Sequence, residues 1–199
     1  MSFELKPLQY NYDALEPIID EETVKIHHDK HHQAYADNFN KAISGTGFEN
    51  ECVEYILQNL NKINEEKRTA VRNHGGGYYN HNLYWEIMIP GGSKEPIGNL
   101  KEKINETFGS FEKFKEEFET KGKTLFGSGW TSLVKKDGKL YIVNSSNQDS
   151  PISDGYTVIL SNDVWEHAYY LKYQNKRNEY LTEWWKLANW DIAEERYNK

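Results

Sequence analysis

The sequence contains one cysteine, Cys52, in 199 residues. That excludes an internal disulfide and a thiolate metal cluster, so any bound metal must be held by nitrogen and oxygen. A single thiol also suits a reducing compartment. No apolar run approaches the roughly 20 residues that a membrane-spanning helix needs. The opening segment MSFELKPLQYNYDALEPIID has no basic stretch leading into an apolar one, so no secretory leader is expected and the cytoplasm is the expected location. Positive charge is in deficit: 24 Lys and Arg against 31 Asp and Glu leave a formal charge of −7. This argues against the basic surface that non-specific nucleic-acid binding requires. It does not exclude a small anionic substrate, which responds to the local field of a cleft.

Aromatic residues, in contrast, are plentiful, with 14 Tyr, 8 Phe and 6 Trp. They supply enough apolar mass to bury a core despite a strongly negative mean hydropathy, so the chain is globular. Cys52 lies on a helical pattern with Val53, Ile56, Leu57 and Leu60, which places it in the core.

Asp20 is a good N-cap, with Glu21 and Glu22 in the favourable first turn, and predicts a helix over 20–43 that ends before Ser44-Gly45-Thr46-Gly47. Further helices are expected over 49–60 and 65–88. The second of these carries Gly75-Gly76-Gly77, each costing about 1 kcal/mol relative to alanine, so the run needs a reason. Pro90-Gly91-Gly92-Ser93 divides a helical N-terminal domain, 1–90, from a second domain, 91–199. In the latter, two helices are followed by β-branched and aromatic stretches at Trp130 to Val134, Leu140 to Asn144 and Tyr156 to Leu160. Asp137-Gly138 marks a hairpin, and a helix-rich tail runs from Val164 to Tyr197.

Four of the seven histidines fall in one hexapeptide, His27-His28-Asp29-Lys30-His31-His32. On a helix His27, His31 and Tyr35 share one stripe, and His28 and His32 share its neighbour. Asp163 and His167 stand four apart where strand gives way to helix, which lets a carboxylate and an imidazole converge on one cation. His81 is flanked by Tyr78, Tyr79, Tyr84 and Trp85, a setting that would be dry. Three imidazoles and a carboxylate suit iron or manganese, and zinc also fits on ligand type.

At these residues the sequence closely resembles the iron/manganese superoxide dismutase family. The match spans nearly the whole chain: Ala14-Leu15-Glu16-Pro17 with Ile19-Asp20, HHDKHHQAY at 27–35, Asn80-His81 with Trp85, FGSGW at 126–130, Asn147-Gln148-Asp149, and DVWEHAYYLKYQN at 163–175. The resemblance implies an α+β fold, an N-terminal helical hairpin followed by a C-terminal α/β domain with a three-stranded antiparallel sheet, and the metal between them. It implies His27, His81, Asp163 and His167 as ligands of one manganese or iron ion per subunit, with a solvent molecule as the fifth. Tyr35 and His31 match the gateway pair of the substrate funnel, and Gln148 matches the residue that hydrogen-bonds solvent at the metal. Trp130 and Trp165 match the aromatic shell. Glu166 and Tyr170 match residues that reach across a dimer interface, so a homodimer, or a tetramer, is implied. The implied activity is dismutation of superoxide. Lys30 and Arg177 are the candidates for a positive field that draws in the anion.

The metal is read from two positions and one departure. Gln148 lies in the C-terminal half, and Gly77 stands where iron-type members usually carry their glutamine. Both point to manganese, and the glycine would leave room for the Gln148 amide. Ser161 and Asn162, in place of the usual glycine and apolar residue before the ligand aspartate, point to use of iron or of either metal. Ser132 replaces a tryptophan and Asn178 a frequent proline, and both are expected to be peripheral. A mononuclear iron oxygenase is the rival reading on ligand type, as is a scaffold that only binds metal. Retention of Tyr35, His31 and Gln148 beside the four ligands disfavours the scaffold.

Overall fold

A computed structural model describes residues 2–92 and 94–199; Ser93, at the expected domain junction, lies outside the described residues. The first long helical stretch begins as expected. The Asp20 carboxylate accepts from the Thr23 amide at 2.8 Å and opens α1 (Glu21–Ile26). The helix then widens into a π-helical turn over His27–His32 before resuming as α2 (Gln33–Ile43). That widening is not legible in residue type. It falls on the histidine cluster, and such turns gather at functional sites because they rotate side chains out of the ordinary stripe.

The next helix, α3 (Val53–Gln58), is shorter than expected, and Cys52 is not in the core. Its backbone is extended at the N-cap, with φ −72° and ψ 155°, so it stands outside the helical repeat and is exposed. The buried stripe starts at Val53 and continues through Ile56 and Leu57. Asn64 caps α4 (Glu65–Glu86) by accepting from the Lys67 amide at 3.0 Å. Helices α2 and α4 pack together as the hairpin, and the glycine run explains how closely they approach. A methyl group on Gly75 would lie 2.8 Å from the Phe39 ring, and one on Gly77 would lie 2.6 Å from Tyr35 Cγ. At Gly76 it would overlap the Gln148 carbonyl oxygen. The Gln148 segment is therefore received at Gly76, and the room at Gly77 is taken by Tyr35.

Two helices follow, α5 (Gly98–Phe108) and α6 (Phe111–Thr124), the latter capped by Ser110 and burying Phe111, Phe114 and Phe118 on one face. The sheet comprises β1 (Gly129–Lys136), β2 (Lys139–Ser146) and β3 (Thr157–Asp163), all antiparallel in the order β2-β1-β3. Asp137 and Gly138 both adopt positive φ, 50° and 72°, as a two-residue hairpin turn requires. The third strand runs past Leu160 to end on Asp163. The tail breaks into α7 (Tyr170–Tyr173), α8 (Arg177–Trp184) and α9 (Trp190–Asn198). Central strand β1 is buried on both faces from Gly129 to Val134, with α6 packing on the sheet and α4 and α9 meeting β3. Because α4 touches β3, His81 on the hairpin and Asp163 on the sheet can meet. No helix of the described residues is long and apolar enough to cross a membrane.

Candidate metal centre

The donor atoms of His27, His81, Asp163 and His167 lie within 4.8 Å of one another. Each comes from a different element: the π-helical turn, α4, the last residue of β3, and the short turn Glu166–Ala168. Asp163 Oδ2 is 3.1 Å from His27 Nε2, 3.0 Å from His167 Nε2 and 3.7 Å from His81 Nε2. His81 Nδ1 is 2.7 Å from the Gly77 carbonyl oxygen, to which it donates. A neutral imidazole so oriented presents its Nε2 lone pair to the centre. Nε2 of His27 and of His81 is buried without a hydrogen-bond partner among the described residues. For His27 the nearest acceptor is the Asp163 oxygen, itself one of the four converging donors.

Two orphaned lone pairs beside a buried carboxylate would be costly unless a cation joined them. This donor set, three imidazole nitrogens and one carboxylate oxygen, fits a first-row transition ion. Electrostatics agree. Burial, helped by His167, pushes the His27 imidazole down to about 4, and burial holds His81 well below its ordinary value. The desolvated Asp163 carboxyl would rise, but the neighbouring His167 and His27 hold it below the usual carboxylate range. His27 and His81 are therefore neutral, and Asp163 an anion, near pH 7.

A pH prediction follows for the metal-free protein. Histidines depressed below 6.5 in the folded state take up protons more readily when unfolded. Stability is then fully present above about 6.5 and declines as pH falls toward about 4. Denaturant midpoints measured across that window should fall with pH; a flat profile would contradict the burial of neutral His27 and His81.

Aromatic rings wall the centre. Trp130 meets His81 edge-on at 5.2 Å, and Trp165 stacks on His167 at 5.4 Å. Tyr35 lies over His81 at 5.1 Å, while half-buried His31 stacks on His167 at 4.4 Å. Behind Tyr35 runs a directed chain. Trp130 Nε1 donates to Gln148 Oε1 at 3.0 Å, and Gln148 Nε2 donates to the Tyr35 hydroxyl at 3.0 Å. Because an indole can only donate, the Gln148 amide has one allowed orientation. Burial raises the Tyr35 phenol, which stays protonated.

Several contributors were not evident in the sequence. Asn80 donates to the carbonyls of Gln148 and Asp149, each at 3.3 Å, and Arg72 clasps the Asp149 carboxylate through two contacts of 2.6 Å. Together they pin the loop that carries Gln148 to α4. These contacts join positions 68 to 77 apart in sequence, and no local spacing announces them. Ser132 is not peripheral. It is buried opposite Ser161 on the neighbouring strand, and the two hydroxyls are 2.8 Å apart. The two departures noted separately in the sequence thus form one buried pair, in which the Ser161 hydroxyl is bonded to Ser132. Asn162 is fully buried, and neither polar atom of its side chain has a partner among the described residues.

Of the remaining candidates, Lys30 is exposed. Arg177 is tied down by bonds to the Tyr169 hydroxyl and to the carbonyls of Leu125 and Gly127, at 3.0, 2.7 and 2.8 Å. Glu166 and Tyr170 are exposed in the single chain.

Comparison with known proteins places this geometry. Residues 2–89 match the model of the alpha-hairpin domain of iron/manganese superoxide dismutases, and residues 96–196 match that of their C-terminal domain. A superoxide dismutase [Mn] of Listeria monocytogenes is 50% identical over 199 residues, covering 100% of this chain and 98% of the relative.

Proposed function

The chain belongs to the iron/manganese superoxide dismutase family, and from that premise we propose how its own residues divide the work. It converts two superoxide ions and two protons to dioxygen and hydrogen peroxide, using one manganese or iron ion per subunit. His27, His81, Asp163 and His167 hold that ion, which supplies the alternating one-electron oxidation and reduction. The observation that carries the assignment is the convergence of these four donors, two of them orphaned nitrogens, three of them on buried side chains.

The protein must bring in the anion and deliver protons. Tyr35 and His31 serve as the gateway and relay. Tyr35 holds a proton at its hydroxyl while Gln148 fixes that oxygen by donating to it. His31, half-buried and stacked on His167, exchanges protons with the outside. Gln148 sets the polarity next to the centre, and Trp130 and Trp165 exclude bulk water. Arg177, held by three backbone carbonyls and a phenol, and exposed Lys30 supply positive charge toward an incoming anion.

Tyr35→Phe removes one hydroxyl and leaves the ring on His81. It should retain full metal content and lose about 10²-fold in turnover, the lower end of the range for a positioned acid. Metal analysis alongside superoxide assay checks this. Loss of metal would make Tyr35 structural.

Manganese is the proposed resident ion. It is supported by Gln148 reaching Tyr35 from the C-terminal half, by the close seat of Tyr35 on Gly77, and by the manganese named for the Listeria relative. The proposed assembly is a homodimer, or a tetramer built on it, through the face that carries Glu166 and Tyr170. Leu171, 56% exposed, adjoins Tyr170 in the chain and would be covered there. A cytoplasmic, protective role against superoxide and a domain division at residue 90 complete the proposal.

A further inference from the structure

His32 was read from the sequence only as part of the stripe beside the ligand His27. In the structure it is 1% exposed and stacks on the ligand His81, with ring centroids 5.4 Å apart and planes at 23°. The Trp85 indole donates to its Nδ1 at 3.2 Å. An indole nitrogen is only a donor, so Nδ1 must accept and the ring proton must sit on Nε2. That Nε2–H is buried and makes no well-formed hydrogen bond among the described residues, the backbone of Tyr78 being the nearby protein group that competes for the ring. A buried donor left unpaired forfeits its hydration without compensation.

His32 also lines a cavity of about 50 Å³ between the N-terminal segment 6–9 and the α4 residues Asn82, Trp85 and Glu86. The cavity is large enough for at least one water, which needs about 10–15 Å³ by this measure. Its walls include Asn82 and Gln9, whose amides both donate and accept. The site is therefore roomy and, though part of its wall is Pro7, Leu8 and Trp85, carries polar groups beside one fixed donor, which are the conditions under which water is retained.

We propose that this cavity, lined by His32, is a built water site, and that its water accepts from His32 Nε2–H. With Trp85 on Nδ1, the water fixes the His32 ring plane, and the stacked ring in turn holds ligand His81 in its coordinating orientation. His32 is thus a positioning residue acting through His81 and not through contact with substrate. The inference rests on the metal-site reading, and its test reads metal binding and structure, so its failure is distinct from failure of the dismutase reading.

The first measurement is a crystal structure of the manganese-loaded protein. It should show an ordered water at hydrogen-bond distance from His32 Nε2 and from a second polar group of the cavity wall. A dry cavity, or Nε2–H donating to the Tyr78 carbonyl instead, would overturn the proposal. The second compares His32→Phe, which keeps a flat ring but neither nitrogen, with His32→Gln, which keeps an acceptor for Trp85 and a donor for the water. Manganese affinity by chelator competition should fall about tenfold in His32→Phe, as for loss of other outer-shell partners. His32→Gln should recover part of that loss, and the manganese electron-spin spectrum should shift only in His32→Phe. Equal affinity and spectra in both variants would reduce His32 to packing and overturn the positioning role.

Discussion

His81→Ala is expected to bind manganese or iron at least about 100-fold more weakly than the parent chain, the upper end of what loss of a mere outer-shell partner costs. The reason is specific to this site. His81 is fully buried, its Nδ1 is committed to the Gly77 carbonyl, and its Nε2 has no hydrogen-bond partner among the described residues. No other side chain of the described residues is placed to supply the missing donor. Tyr35 touches the ring from one face and His32 from another, but the first presents a phenol bound by Gln148 and the second a nitrogen bound by Trp85. Metal analysis after dialysis against a weak chelator checks the outcome. Full occupancy would show that the ligand set has been misread.

Gly76→Ala is expected to disturb the centre almost as severely from the opposite side. The added methyl would overlap the Gln148 carbonyl oxygen, and a backbone atom cannot swing aside as the end of a flexible side chain can. The loop would have to retreat, breaking the Asn80 bonds at 3.3 Å and withdrawing the Gln148 amide from the Tyr35 hydroxyl. Overpacking of this kind costs about 1–3 kcal/mol. Loss of a positioned proton donor lowers turnover by 10²-fold or more, by about the amount assigned to such groups. The variant should therefore show a lowered denaturation midpoint and reduced activity per bound ion while retaining its four ligands. Unchanged activity would mean that the Gln148 to Tyr35 bond is dispensable.

These two substitutions also indicate how far the sequence could be read. The four converging donors were legible because each carries a local signal: a histidine cluster, an aromatic frame around His81, and the spacing of Asp163 and His167 at the end of a strand. The family motifs then assembled them. The helical hairpin and the three strands were legible from caps, periodicity and the Asp137-Gly138 turn. The glycine run was noticed, but only the packed structure separates its members, assigning Phe39 to Gly75, the Gln148 backbone to Gly76 and the Tyr35 ring to Gly77.

What stayed hidden is long-range or conformational. The π-helical turn over His27–His32 has no residue-type signature, yet it brings His32 onto His81 while His31 reaches His167. The Ser132 and Ser161 pair joins residues 29 apart across two strands, so each looked like an isolated departure until the register placed them opposite. Cys52 was misread because the apolar stripe that follows it begins one residue later, inside the helix and not at its cap.

The pair of serines also bears on the metal. A hydroxyl pointed at the ligands would have argued for altered bonding around the ion. With Ser161 bonded to Ser132, that argument weakens, and the Gln148 arrangement is left as the stronger indication.

The most direct test of the whole account is to strip the metal, reload separate samples with manganese and with iron, and measure superoxide dismutation per bound ion. The account predicts high activity with manganese and, if Ser161 and Asn162 relax the choice, measurable activity with iron. Inactivity in both samples, at full occupancy and with a native fold, would contradict it and leave a scaffold that binds metal without turning over superoxide.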